Sequence, residues 1–390
     1  MDMTRRRLAL AALASASIAQ DSMAQDSKVK PVEPAYGGPL EKFQGRYEPS
    51  EFDSLAISME RWKASPRALR FQAKTKAEAV LWQKKLRKRV ESCLGGFPAT
   101  HADLRVRSFE TKDLPTHTRE ALAFESRDGS FVFAYLLKPK NVRPPYSVVI
   151  CLPGHGRGVD DIAGIDPEGR DRTQRIGYEY DYALQVVEHG MAALAIEPMG
   201  FGCRRDPAAR KAGQGQSSCQ PAAGVALLLG ETMAAWRTWD VMRACDFIAT
   251  RKDLDSDRIG CMGISGGGTI TLYAAALEPR IRAAFMSCSL CMFRDCIMSL
   301  SHCIDNYVPG ILNWAEMSDI AGLIAPRPFF VESGEKDPIF PLAGSREAFQ
   351  AVQHVYEVFG QNELCQREEF PAEHEFHGKG GLAFLRQHLA

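Results

Sequence analysis

The chain has 390 residues, 45% of them hydrophobic and 25% charged, with 48 basic residues against 48 acidic ones. A globular protein with no net charge has no field to draw in a polyanion, which excludes nucleic acid as an expected partner. The length fits a single large α/β domain carrying an extension.

The first residues, "MTRRRLALAALASASIAQDSMAQ", combine Arg5 to Arg7, a short apolar run and small residues ending at Ala19 or Ala24. This is the pattern of an export signal over residues 1–24, of the twin-arginine or the general secretory type. Its apolar run is too short to remain as a membrane anchor. The mature protein is therefore expected outside the cytoplasm, in the periplasm or secreted. Residues 28–44 are rich in proline and glycine without periodicity and predict an arm lying on the surface. Over residues 73–96, Ala79, Trp82, Leu86, Val90 and Leu94 recur at helical spacing and Gly-Gly follows, which predicts an amphipathic helix docked on the main body. Residues 25–105 thus read as an arm and helix packed on the core, and residues 106–390 as a catalytic domain.

Beyond Val106, short apolar runs alternate with helical stretches. Strands are predicted over 131–139, 147–153, 191–198, 257–263, 281–288, 328–334 and 365–370, and helices over 230–254 and 346–360. The strand runs are continuously apolar rather than alternating, as strands covered on both faces are. This calls for an α/β fold with a mostly parallel central sheet of about eight strands wrapped by helices.

In that frame "GCMGISGGGTI" is a strand, a turn and a helix, with Ser265 at the turn between Gly263 and Gly267. A nucleophile on so tight a turn needs small residues two positions away on either side, where side chains would collide with strand and helix. The helix that follows directs its positive end and its free amides at the site. A serine needs a base, and a histidine base needs an acid to hold its tautomer. Asp337 lies just past the strand over 328–334, with Glu332 and Glu335 as neighbouring alternatives. His374 comes directly after the last strand, with His377 beyond it as a capping residue, so the chain order is Ser, Asp, His. The loop "PGHGRG" after the strand over 147–153 supplies a second backbone donor, and the amides of Gly266 and His155 are the expected oxyanion hole. Its GxGxG spacing differs from the GxGxxG of a dinucleotide loop.

Eleven cysteines are an odd number, so at least one lacks an intramolecular partner. Cys151 and Cys261 fall in apolar strands as small buried thiols. Cys288, Cys291, Cys296 and Cys303 do not have the paired close spacing of a zinc site, and one disulfide of open pairing is expected among them.

Taken together, "PGHGRG", "EPMGFGCRRD", "DSDRIGCMGISGGG", "SCSLCMFRDC", "SHCIDNYVPGIL", "DIAGLIAPRPFFVESGEKDPIFP" and "EHEFHG" resemble the serine hydrolases of the α/β-hydrolase fold. More closely the chain resembles a bacterial exported branch near the acetyl xylan esterases and dienelactone hydrolases, from about Ala73 to the C-terminus. The resemblance implies Ser265 as nucleophile, Asp337 as acid and His374 as base, acting without metal or organic cofactor on small acyl, acetyl-like esters, carbohydrate esters among them. Pro153 stands where relatives commonly carry a histidine, and the segment 203–230 departs in a region that shapes the acyl pocket. Phe293, Tyr307 and Trp314 could offer a sugar face or pack as ordinary core. The rivals are an exported serine peptidase of the same fold, which needs a gating domain larger than residues 1–105 supply, and a non-catalytic binding protein, which has no use for three triad residues.

Overall fold

The computed structural model describes residues 38–127 and 129–390. The expected export signal and the first part of the predicted arm lie outside the described residues. Contacts divide the chain into two compact units between Ser65 and Pro66. In the first, helix α1 (Ser54–Lys63) starts at Asp53, whose carboxylate accepts the amides of Leu55 and Ala56 at 2.8 and 3.2 Å.

In the second unit, the helices that matter here are α2 (Lys76–Leu94), α3 (Tyr182–Glu188), α4 (Cys219–Leu228), α5 (Met233–Thr250), α6 (Gly266–Leu277), α7 (Met317–Gly322), α8 (Leu342–Phe359) and α9 (Lys379–Leu389). A capping box between Thr75 and Glu78 opens α2, and Gly95 ends it at φ 96°, a left-handed conformation suited to glycine. Ala79, Trp82, Leu86, Val90 and Leu94 are all buried, as their spacing predicts. The Gln83 amide donates to the carbonyls of Gly322 and Ala325 at 3.1 and 2.7 Å, and Arg87 to those of Ala276 and Leu323 at 3.1 and 2.7 Å. These bonds place α2 with the sheet-bearing unit.

Nine strands form one sheet among the described residues: β1 (Arg107–Asp113), β2 (His117–Arg127), β3 (Ser130–Pro139), β4 (Tyr146–Leu152), β5 (Ala192–Ile196), β6 (Leu254–Ile264), β7 (Ile281–Ser287), β8 (Phe329–Gly334) and β9 (Cys365–Phe370). Their order is β1-β2-β3-β5-β4-β6-β7-β8-β9. β1, β2 and β3 form an antiparallel meander joined antiparallel to β5, and every pairing from β5 onward is parallel. All seven predicted runs are strands. The two additions are β1 and β2, whose charged residues hide the signal; β1 is an almost wholly exposed edge.

Alternation along each parallel strand feeds two cores. Val148, Ile150 and Leu152 of β4 join the cluster under α2, α5, α6, α7 and α8, whereas Val149 and Cys151 join the one under α3 and α9. Each such residue stabilises the fold by roughly 1.5–3 kcal/mol, so register is strongly fixed and the carboxyl ends of the parallel strands are held in one row. No helix among the described residues is long and apolar enough to cross a membrane. All eleven cysteines are free thiols. The disulfide expected among Cys288, Cys291, Cys296 and Cys303 is therefore absent: Cys288 points Sγ at the Glu375 carbonyl, Cys303 faces Cys219, and Cys291 and Cys296 adjoin as unbonded thiols.

Candidate active site

β6 ends at Ile264 and α6 begins at Gly266, leaving Ser265 alone to make the turn at φ 55°, ψ −121°. A non-glycine residue there stores about 1–3 kcal/mol, sustained only by a surrounding structure that fixes it. The fixing is visible: the Ser265 amide donates to the Ser287 carbonyl at 3.1 Å, and its carbonyl accepts the Thr269 amide at 3.0 Å. A Cβ at position 263 would lie 2.7 Å from the Leu152 carbonyl oxygen, and one at 267 would lie 2.8 Å from that of Pro153. Both obstacles are backbone, so glycine is required at each position. Ser265 is 9% exposed, and its hydroxyl has no hydrogen-bond partner among the described residues.

Asp337 lies three residues past β8. Its Oδ1 accepts the amides of Ile339 and Phe340 at 2.8 and 3.0 Å, and its Oδ2 faces His374 Nδ1 at 2.8 Å. The imidazole of His374 is held between the rings of Phe340 and Tyr178, each with its centroid 5.8 Å away. Its other nitrogen, Nε2, is buried without a hydrogen-bond partner among the described residues. His374 and Asp337 are thus joined, and Ser265 stands at the same edge of the sheet without a hydrogen bond to His374. Catalytic bonds of this kind commonly tighten only when substrate is bound.

The neighbouring alternatives lie elsewhere. His377 stacks on Phe370 at 4.9 Å and turns Nε2 toward Glu368 at 3.6 Å. Glu335 is exposed. Glu332 is fully buried and accepts the Ser287 hydroxyl at 2.6 Å and the amides of His377 and Gly378 at 3.0 and 2.7 Å. It therefore ties the end of β7 to the loop that carries His374. Burial pushes its carboxyl up to about 7, against the pull of those three donors.

The loop after β4 is held from one side. Tyr182 donates its hydroxyl to the Leu152 carbonyl at 2.5 Å, Glu179 accepts the Gly154 amide at 2.5 Å, and Tyr178 donates to the His155 carbonyl at 2.8 Å. A Cβ on Gly154 would sit 3.2 Å from that of Ser265, so the loop lies against the serine. The amides of His155 and Gly266 donate to no acceptor among the described residues.

The side chain of His155 enters a cluster that sequence reasoning did not find. Its Nε2 lies 3.4 Å from Asp305 Oδ2 and 3.7 Å from Cys219 Sγ. Arg237, buried on α5, donates to Asp305 and, at 3.1 Å, to Cys219 Sγ. Burial lowers the imidazole pKa, but Asp305 outweighs it and raises His155 to about 10. A hydrogen bond from Cys303, aided by Arg237 and opposed by burial, holds the Cys219 thiol below its ordinary range, and the same bond pushes the Cys303 thiol up. No local signal marked this cluster: Arg237 is one of four charged residues on α5, with Asp240, Arg243 and Asp246. Of the aromatic residues, Phe293 is core, Tyr307 is 41% exposed and donates to the Ile297 carbonyl at 2.8 Å, and Trp314 lies under the Arg89 guanidinium at 3.8 Å.

Among known proteins, a candidate hydrolase of Bacillus subtilis (strain 168), YtaP, is 28% identical over 273 residues, 69% of this chain and 86% of its own length. A candidate acetyl xylan esterase of Bacteroides fragilis NCTC 9343 superposes with a TM-score of 0.70 at 20% identity, over 82% of each chain. A glucuronoyl esterase from Solibacter usitatus gives 0.61 at 16% identity, over 82% of this chain and 95% of its own. These structural likenesses establish the α/β-hydrolase fold that the parallel sheet and the serine turn describe. The Abhydrolase family model matches residues 58–374, and the chain belongs to that family.

Proposed function

We propose that the protein is a serine hydrolase of carboxylic esters in which Ser265 attacks, His374 takes and returns the proton, and Asp337 holds the imidazole. The observation that carries this reading is the 2.8 Å bond between His374 Nδ1 and Asp337 Oδ2 at the same sheet edge as the strained Ser265 turn. Held on Nδ1, the ring keeps its proton there and leaves the Nε2 lone pair free to accept the Ser265 proton. The hydroxyl oxygen then adds to the ester carbonyl, and the amides of Gly266 and His155 receive the oxyanion. Collapse expels the alcohol, protonated by His374, and leaves an acyl-enzyme; His374 next deprotonates water, which releases the acid and restores Ser265.

Small acyl groups on a carbohydrate outside the cytoplasm are the substrate class this reading favours. Its supports are the leader-like start of the sequence and the carbohydrate esterases among proteins of similar fold. The test is hydrolysis of p-nitrophenyl esters, acetate through octanoate, and of acetylated xylan, by the protein and by Ser265→Ala, both checked for folding by circular dichroism. Turnover of acetate that falls with chain length and vanishes in the variant is expected. Equal activity in both proteins, or none in either together with no fluorophosphonate labelling of Ser265, would sink the proposal.

A further inference from the structure

Three segments far apart in sequence deliver four donor atoms to one place beside the oxyanion loop. His155 comes from the loop after β4, Cys219 is the first residue of α4, and Cys303 and Asp305 belong to the short 3-10 turn at Ile304–Asn306 and its cap. The imidazole nitrogen, the two sulfurs and the carboxylate oxygen all lie within 4.8 Å of one another. We propose that His155 Nε2, Cys219 Sγ, Cys303 Sγ and Asp305 Oδ2 bind one divalent cation of the zinc(II) class.

The spacing is the first argument. In a tetrahedral zinc site, bonds of about 2.3 Å to sulfur and about 2.0–2.1 Å to nitrogen or oxygen set the ligand-to-ligand edges at about 3.3–3.8 Å. Three of the six edges are 3.4 Å from His155 to Asp305, 3.7 Å from His155 to Cys219 and 3.3 Å from Cys219 to Asp305, and those to Cys303 are within 4.8 Å. Donor chemistry is the second: two thiolates, an imidazole and a carboxylate form a borderline-soft set that selects zinc over calcium or magnesium.

The surroundings are the third argument. Cys219 is 1% exposed and Asp305 3%. Asn306 Nδ2 donates to Asp305 Oδ1 at 2.8 Å, while Oδ2, the atom offered as ligand, accepts from Arg237. Arg237 donates to both Asp305 and Cys219 while being anchored on the Met199 carbonyl at 3.0 and 2.7 Å. Such outer donors orient ligands and hold them in place. Charge closes as well: two thiolates and a carboxylate balance one guanidinium and a divalent cation. An ion-pair network alone leaves the convergence of two sulfurs unexplained, and a disulfide leaves that of His155 and Asp305 unexplained.

A cation on Nε2 confines the His155 proton to Nδ1. The Nδ1–Cε1 edge lies against Gly266, where a Cβ would sit 3.2 Å from both atoms. The cation would therefore anchor the oxyanion loop to α4 and the Cys303–Asp305 segment. This last consequence rests on the oxyanion reading above; the cation site does not.

The test starts from the whole protein purified with a reductant and without chelator, incubated with zinc chloride and desalted. Mass spectrometry of the metal should find about one zinc per chain, falling below about a tenth in Cys219→Ser and Cys303→Ser. X-ray absorption at the zinc edge of the unaltered protein, which depends on no variant folding, should find two sulfur and two nitrogen or oxygen neighbours. Less than about a tenth of a zinc per chain, equal zinc in all three proteins, a shell without sulfur, or a Cys219–Cys303 disulfide in the native protein would each overturn the site. Because none of these readouts is turnover, a zinc-bound protein without esterase activity refutes only the functional proposal, and an active protein without zinc refutes only the cation.

Discussion

Replacing Asp337 by Asn isolates one atom of the proposed mechanism, and the structure dictates how the new side chain must sit. Two backbone amides, from Ile339 and Phe340, donate to Oδ1 at 2.8 and 3.0 Å. An Asn side chain must keep its oxygen there, since its NH2 group would meet two N–H groups head on. The NH2 therefore points at His374 Nδ1, which the carboxylate now faces at 2.8 Å. Two donors cannot share that contact, so the imidazole must move its proton to Nε2, the atom that has to accept the proton of Ser265. A wrong tautomer of this kind lowers kcat by on the order of 10³–10⁴, about 4–5.5 kcal/mol of barrier. Folding should hardly change, because the same bonds can be made. Esterase kinetics on p-nitrophenyl acetate should show the loss in kcat with KM nearly constant, and phosphonate labelling of Ser265 should slow in parallel. A loss below about tenfold in a folded variant would refute the reasoning and assign the base elsewhere.

Three further outcomes are expected. His374→Ala should lose on the order of a thousandfold in kcat, whereas His377→Ala, which gives up a stack on Phe370, should stay within about fivefold; the reverse ranking in parallel kinetics would exchange their roles. Gly267→Ala places a methyl 2.8 Å from the Pro153 carbonyl oxygen and should destabilise by about 3 kcal/mol or more, so an unchanged urea midpoint would contradict the packing described. Glu332 carries a carboxyl raised from 4.5 to about 7 in the folded protein, so between those values the unfolded chain has released a proton that the folded one keeps. Stability contributed by this group is full below about pH 4.5 and falls by up to about 1.4 kcal/mol per pH unit as pH rises to about 7; urea midpoints of the protein and Glu332→Gln, compared across that window, should differ in slope, and parallel curves would reject the buried acid.

The local grammar of the fold was legible because it rests on short-range chemistry. Continuous apolar runs reported the strands buried on both faces, and the helical spacing of Ala79, Trp82, Leu86, Val90 and Leu94 reported the docked face of α2. Ser265 was marked by flanking glycines whose Cβ atoms the backbone forbids, and Asp337 and His374 by their places after strands. β1 was missed because an exposed edge rich in charge carries no burial pattern, and β2 because charged residues interrupt its apolar ones although most of the strand is buried. The cluster of His155, Cys219, Arg237, Cys303 and Asp305 was invisible for a different reason: its members are up to 150 positions apart, and nothing local to any of them announces the others. The disulfide expected among Cys288, Cys291, Cys296 and Cys303 was read from nearness along the chain, which does not separate two adjoining thiols such as Cys291 and Cys296 from a bond between them.

Tyr178 touches two parts of the candidate mechanism at once, stacking on His374 while its hydroxyl holds the His155 carbonyl. The proposed proton carrier and the proposed oxyanion loop are therefore spaced by one rigid ring, independently of the turn that bears the serine. In the proposed mechanism the span between base and oxyanion donor is thus whatever that phenol sets, and removing the ring would loosen both ends together.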